Sequence, residues 1–179
     1  YEAELVVVIG KAGKHIAEDR VWDHIFGYTI GNDFSERAWQ AEDRTLWRAK
    51  NSDTFKPMGP WIETDVQLTG MRTKVRVNGT EVENFETNNM IFDIPTYIHR
   101  MSECITLLPG DVIWMGTDGV PENVRSGDII EIGSYKFSEA ARTASSLLLR
   151  KEGQENLESD YAGFMRIRWS SDREEIETA

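Results

Sequence analysis

In 179 residues the chain has one cysteine, three histidines, five prolines and no long apolar run. A single Cys104 leaves no internal disulfide and no cysteine-built zinc site. No apolar stretch approaches the roughly 20 residues of a membrane span. The chain also opens without the basic and apolar regions that mark a secretion signal. Positive charge is scarce: 20 Lys and Arg stand against 31 Asp and Glu, a net charge of -11 with a pI near 4.8. This balance argues against nucleic acid or an anionic membrane as the main partner, because both select faces rich in Lys and Arg. A cytoplasmic protein is expected, with a mitochondrial location left open for a eukaryotic source. Methionine is missing from the first position. The chain opens at Tyr1, directly in a strand-like run, and reads as a piece cut from something longer.

Apolar residues make up 40% of the chain, with six Trp, seven Phe and five Tyr, enough for a real core. Global disorder is therefore excluded. The length suits one domain, or one domain with an appendage. Residues 1–9 (YEAELVVVI) are apolar and β-branched and end at Gly10, which predicts a strand. A brief helical stretch over 18–24 precedes a second strand over 26–30 (FGYTI). Residues 35–40 read as a turn or short helix capped near Ser35. Residues 41–59 are charged and turn-rich and read as a long surface loop, a feature often tied to function. Two runs, 71–77 and 80–85, flank Asn78-Gly79, a dipeptide suited to a type I′ turn. Ile94, Tyr97, Ile98, Met101 and Ile105 recur at helical spacing. Further strands are predicted over 111–115 (DVIWM) and 128–132 (DIIEI).

The expected class is α+β and mainly β. After Gly133 the character changes. Residues 137–151 favour a helix with Gly153 as its stop, 161–169 carry a strand signal, and 170–179 are acidic. Residues 136–179 hold 7 Lys and Arg against 9 Asp and Glu, so most of the negative excess belongs to residues 1–135. The chain is therefore divided into a domain over 1–134 and an unassigned helical and polar extension over 135–179.

Three groups of residues carry potential chemistry. Glu2 and Glu4 sit two apart on a strand and so share one face. They either lie wet at an edge or share a cation that relieves their repulsion, and the spacing alone favours the first reading. Asp33, at the end of the second strand, would complete a set of oxygen ligands for a hard divalent cation. Arg37, Gln40 and Lys50 are ordinary surface residues taken singly. Beside a metal they would bind and polarise an oxygen-rich anion. Residues 115–120 (MGTDGV) follow a buried strand and form either a plain turn or a loop whose Thr117 hydroxyl faces a ligand.

Four stretches, taken in order, resemble the C-terminal catalytic domain of the fumarylacetoacetate hydrolase family, over about residues 1–132. They are Glu2-Ala3-Glu4-Leu5; the run from Phe26 through Asn32-Asp33-Phe34-Ser35-Glu36-Arg37; Lys50 through Phe55 with Gly59-Pro60-Trp61; and Asn88 through Phe92 with Leu108-Pro109-Gly110-Asp111 and Gly116-Thr117. The resemblance implies a mixed β-sheet roll or barrel with few helices, usually a homodimer. It implies metal ligands at Glu2, Glu4 and Asp33, for Mg2+ or alternatively Mn2+ or Ca2+. Substrate contacts would come from Arg37, Gln40 and Thr117, with Lys50 and Gln40 catalytic and Lys50 stabilising oxyanion charge.

The implied activity is metal-dependent hydrolysis of a C–C bond in a small 1,3-diketo acid, acylpyruvate- or fumarylpyruvate-like, through a metal-stabilised enolate. Decarboxylation or isomerisation of a 2-oxo acid such as oxaloacetate is the alternative, and a non-catalytic oligomerisation or ligand-binding homologue is the rival class. The family's hydrolases activate water with a His and a Glu upstream of the Glu-x-Glu strand. His15 and Glu18 have the spacing but lie on the wrong side of that strand. Asp118 stands where the family usually has Pro, and residues 135–179 depart from its usual ending. His15 and His24 are expected at the surface and His99 on the wetter side of its helix. Cys104 is expected buried. Most of the Trp are expected in the core, with Trp39 and Trp47 able to wall a pocket.

Overall fold

The computed structural model describes residues 1–136 and 161–168. The helix expected over 137–151 and the acidic end 170–179 lie outside the described residues. In chain order the elements are β1 (Ala3–Ile9), a 3-10 helix (Glu18–His24), β2 (Ile25–Asn32), α1 (Arg37–Gln40), α2 (Trp47–Asn51), β3 (Met58–Glu63), β4 (Met71–Val77), β5 (Thr80–Glu86), α3 (Ile94–Cys104), β6 (Val112–Trp114), β7 (Ile129–Lys136) and β8 (Tyr161–Arg168). They form two four-stranded sheets, ordered β3-β2-β1-β6 and β5-β4-β7-β8. Every described pairing is antiparallel and no barrel closes among the described residues, so the mixed sheet expected from the resemblance resolves there into two antiparallel sheets.

β1 is buried along its whole length because it is central in the first sheet and covered on both faces. Its odd positions decide the core. Leu5, Val7 and Ile9 pack with Tyr28, Ile113, Leu107 and the buried side of α3, Ile94 and Ile98. Tyr1 and Ala3 join Ile30, Phe34, Val75, Ile130 and Ile132 in a second cluster that includes both sheets. Strand alternation then sends Glu2 and Glu4 to the other face. The helix that covers β1 is well specified: the Asp93 side chain caps it by accepting from the Thr96 N–H at 2.9 Å, and Pro95 stands in its first turn. The β4–β5 hairpin turns through Asn78 and Gly79 at φ 52° and 80°, the two positive angles that a type I′ turn requires.

Four expectations need correction. The segment 41–59, read as one loop, contains α2 and the start of β3. β3 is an edge strand, where Gly59-Pro60 is tolerated because no ladder bond is lost. The cap of α1 is Glu36, whose carboxylate accepts from the Ala38 N–H at 2.8 Å, while the Ser35 hydroxyl turns back to the Asp33 carbonyl. Cys104 is exposed at the last turn of α3. Trp22, Trp39, Trp47 and Trp61 are all exposed and Trp114 is half-buried, so none of the described Trp fills the core. Aliphatic β-branched residues occupy it instead, as suits tightly spaced strands.

Ile98→Ala removes a fully buried side chain. The change is expected to destabilise the protein by about 2–5 kcal/mol. Tyr97→Ala, one residue away and exposed, should cost under about 1 kcal/mol. Urea denaturation of both variants checks this. Equal costs would mean that α3 does not present Ile98 to β1.

Candidate metal and substrate site

The lower ends of β1 and β2 are pinned together, and this pinning builds the site. The Asn32 side-chain carbonyl accepts from the Glu2 N–H at 3.0 Å, and the Asp33 N–H donates to the Glu2 carbonyl at 2.8 Å. Asp33 thereby leaves the strand beside Glu2, while Glu4 stands one pleat further along the same face of β1. One carboxylate oxygen from each of Glu2, Glu4 and Asp33 lies within 4.8 Å of the others. Three carboxylates this close would repel strongly without compensation.

Compensation comes from the two short helices that follow. Lys50, on α2, bridges two of the acids, with Nζ 2.6 Å from Glu2 Oε2 and 3.0 Å from Asp33 Oδ2. Arg37, at the start of α1, donates from Nη2 to Glu2 Oε1 at 2.8 Å and from Nη1 to Gln40 Oε1 at 2.7 Å. Lys56, just after α2, forms an ion pair with Asp33 Oδ1 and stands 4.7 Å from the Trp114 ring centre. Among the described residues no cation pairs with Glu4. Its Oε2 accepts from the Gly116 N–H at 2.7 Å.

These environments separate the acids. Burial alone would push Glu2 up, but the bonds from Lys50 and Arg37 outweigh it and hold its carboxyl below the usual range. Burial also works against the Lys50 charge, yet Glu2 and Asp33 more than offset it and raise its pKa. At Glu4 burial dominates, the Gly116 bond and Lys56 oppose it weakly, and the carboxyl is pushed up to about 7. A buried carboxylate that resists ionisation beside two others is a site that a cation would stabilise. The donors are all hard oxygens, so the residues fit Mg2+, Mn2+ or Ca2+.

Beside the carboxylates opens a cleft of about 700 Å3. Glu4, Asp33, Trp114, Thr117, Phe92 and Tyr97 are among its lining residues. The Thr117 hydroxyl is buried with no hydrogen-bond partner, which leaves it available to a ligand. Asp118, at the departure from the family pattern, accepts from Asn89 at 3.3 Å and ties the two loops of the cleft together. Gly31 lies opposite Glu4 in the β1–β2 register, and a Cβ there would stand 2.1 Å from the Trp114 ring. Glycine is required at that position for Trp114 to sit where it does.

The structure thus brings Glu2, Glu4, Asp33, Arg37, Gln40 and Lys50 together and places Thr117 in the lining of the same cleft as Glu4 and Asp33. Arg37, Gln40 and Lys50 stand behind the carboxylates and do not line the cleft itself. Neither Trp39 nor Trp47 lines it, contrary to expectation. Trp39 stacks on Phe55 at 6.4 Å and carries Arg48 at 4.0 Å from its ring centre. His15 is exposed, and the Nδ1 atoms of His24 and His99 pair with the Lys11 and Ile16 carbonyls, away from the cleft. Sequence reasoning missed Lys56, Asn32 and Gly31. Lys56 directly follows the Asp53-Thr54-Phe55 stretch, and nothing in its spacing marks it.

The Glu4 environment predicts a pH dependence. Between its usual 4.5 and about 7 the folded state holds a proton that the unfolded chain releases. Stability of the chelated protein should therefore fall as pH rises through that window, by at most about 3 kcal/mol. Glu83, also raised by burial, acts in the same direction. Excess Mg2+ should remove most of the loss. Denaturation at pH 5 and pH 8, with EDTA and with MgCl2, checks this. A chelated protein that gains stability over this range would contradict the Glu4 environment described above.

Residues 1–144 match the family model described as fumarylacetoacetate (FAA) hydrolase C-terminal. The oxaloacetate tautomerase YisK of Bacillus subtilis is 40% identical, over 74% of this chain and 47% of its own length. The 2,4-didehydro-3-deoxy-L-rhamnonate hydrolase of a Sphingomonas species is 37% identical, over 76% of this chain and 52% of its own. Among solved structures, a 5-carboxymethyl-2-hydroxymuconate delta-isomerase from Mycobacterium smegmatis superposes with a TM-score of 0.72 at 40% identity, covering 74% of this chain and 53% of that one. The chain spans about half the length of the curated relatives it matches. With the family's Glu-x-Glu strand and Asn-Asp turn brought together beside one cleft and bridged by Lys50, the chain belongs to the fumarylacetoacetate hydrolase family.

Proposed function

We propose that this chain carries the catalytic centre of a divalent-metal-dependent enzyme that hydrolyses a C–C bond in a small 1,3-diketo acid of the acylpyruvate type. The convergence of Glu2, Glu4 and Asp33, with Lys50 bridging Glu2 and Asp33 and with Glu4 and Asp33 lining the cleft, carries the reading. Mg2+, Mn2+ or Ca2+ held by these carboxylates would supply Lewis acidity toward the oxo-acid oxygens. The chain's own groups bind the substrate and stabilise its charge. The water that would add to the distal carbonyl, with its proton passed to the carbon released as the C–C bond breaks, needs a base that is not assigned among the described cleft residues. Lys50, kept charged by its two carboxylates, stabilises negative charge that develops on the substrate as its C–C bond breaks. Arg37 orients Gln40 through a 2.7 Å bond and presents that pair beside the acids. Thr117 offers its unpartnered hydroxyl to the substrate carboxylate. The lining is apolar at Met90, Ile91, Phe92 and Tyr97 and acidic at Glu86, and none of the described lining residues is a Lys or Arg. This favours an uncharged acyl group over one ending in a second carboxylate. The homodimer implied by the resemblance belongs to the same proposal.

A second reading, tautomerisation or decarboxylation of a 2-oxo acid such as oxaloacetate, is favoured by one observation. Among the described residues no histidine borders the cleft to activate water. Enolate chemistry needs only the metal and Lys50. A relative at 40% identity carries the name oxaloacetate tautomerase.

Two variants test the proposal. Glu4→Ala should lose both metal binding and turnover, whereas Lys50→Met should keep metal binding and lose about 100- to 1,000-fold in kcat. Acetylpyruvate hydrolysis and oxaloacetate tautomerisation, each assayed with Mg2+ and with EDTA, separate the two readings. Undiminished turnover in EDTA or in Glu4→Ala would sink both. A preference for fumarylpyruvate over acetylpyruvate would contradict the apolar acyl wall.

A further inference from the structure

Each Asp33 oxygen faces a lysine, although Oδ1 receives no hydrogen bond among the described residues. Asp33 Oδ2 accepts from Lys50 at 3.0 Å, and Oδ1 is ion-paired with Lys56. The two lysines are held differently. Lys50 has 15% of its side chain exposed and bridges two carboxylates. Lys56 has 31% exposed and touches one carboxylate and the face of Trp114. Its backbone neighbours are fixed: the Phe55 carbonyl accepts from Phe34 N–H at 3.2 Å and the Pro57 carbonyl from Asn32 N–H at 3.0 Å. Any release of Lys56 is therefore a side-chain movement on a rigid base.

Glu2, Glu4 and Asp33 face Arg37, Lys50 and Lys56. With Glu4 ionised, as metal ligation would require, the charges of these six side chains balance. A divalent ion added to this set would leave two positive charges in excess while competing with Lys56 for Asp33. We propose that Lys56 is an internal cation of the Asp33 carboxylate, displaced by the incoming metal and then presented to the anionic substrate. The proposal rests on the metal-dependent reading above. Trp114, which carries the ammonium, lines the cleft, so the displaced four-carbon stem can deliver its charge there without crossing buried apolar space. Metal and substrate binding are then linked: the metal frees a cation, and the substrate's negative charge neutralises the surplus.

The test exploits opposite signs. Isothermal titration of Mg2+ into the wild type and Lys56→Met, followed by titration of oxalate into each Mg2+-saturated protein, reads both steps. Lys56→Met should bind Mg2+ tighter, by roughly three- to tenfold, because a competitor is gone. It should bind oxalate weaker by a similar factor, because a cation is gone. Lys56→Arg should restore oxalate affinity toward that of the wild type. Circular dichroism confirms folding, and Lys56→Gln replaces the methionine variant if that variant is unfolded. Weaker or unchanged Mg2+ binding in the variant overturns the proposal, since a merely structural lysine would weaken both steps or neither. Unchanged oxalate binding overturns it as well. Failure of the wild type to bind Mg2+ at all overturns the underlying metal-dependent reading and this one with it.

Discussion

The arrangement depends on one interaction, the bridge from Lys50 to Glu2 and Asp33. It joins α2 to the ends of β1 and β2 and makes a triple-carboxylate cluster tolerable in a mostly buried place. Without it, Glu2 and Asp33 would repel across the strand ends that the Asn32 side chain pins together. The bridge also explains why a short helix interrupts an otherwise irregular segment. α2 is five residues long and too short to persist alone, and it is held by Asp43, which accepts from Ala49 N–H at 3.0 Å, and by what Lys50 reaches.

The core and the site are two consequences of one alternating strand. The odd residues of β1 supply apolar side chains to α3 and to the second sheet. The even residues Glu2 and Glu4 are then placed on the opposite face with no freedom to leave it. The burial that stabilises the odd face sets the dielectric environment of the even one. This is why Glu4 resists ionisation while Glu2, one pleat away and doubly paired, does not. Function here is a property of strand register: a one-residue slip would turn Leu5 toward the site and the acids into the apolar core.

Much of this was legible in the sequence where local chemistry suffices. β1 reads from its β-branched run, the β4–β5 hairpin from Asn78-Gly79, and α3 from the spacing of Ile94, Ile98 and Met101. The carboxylates, Lys50, Arg37 and Gln40 were nameable because residue type and order together match a family pattern. What escaped depends on tertiary contact. β3 contains Gly59-Pro60 and persists as a strand only because β2 offers an edge. Trp39 reads as able to wall a pocket but serves as a platform for Phe55 and Arg48. Lys56 looks like any surface lysine until the fold sets Asp33 and Trp114 around it. Gly31 likewise has no local reason to be glycine. Its reason is the ring of Trp114, more than eighty positions away.

The central claim is that Glu2, Glu4 and Asp33 together hold one divalent cation. Anomalous diffraction from crystals soaked in Mn2+ tests it most directly. The account predicts a single strong peak within coordination distance, roughly 2.0–2.6 Å, of an oxygen from each of the three. No peak at that position, or one bound elsewhere while the three carboxylates keep only their lysine and arginine partners, would contradict it.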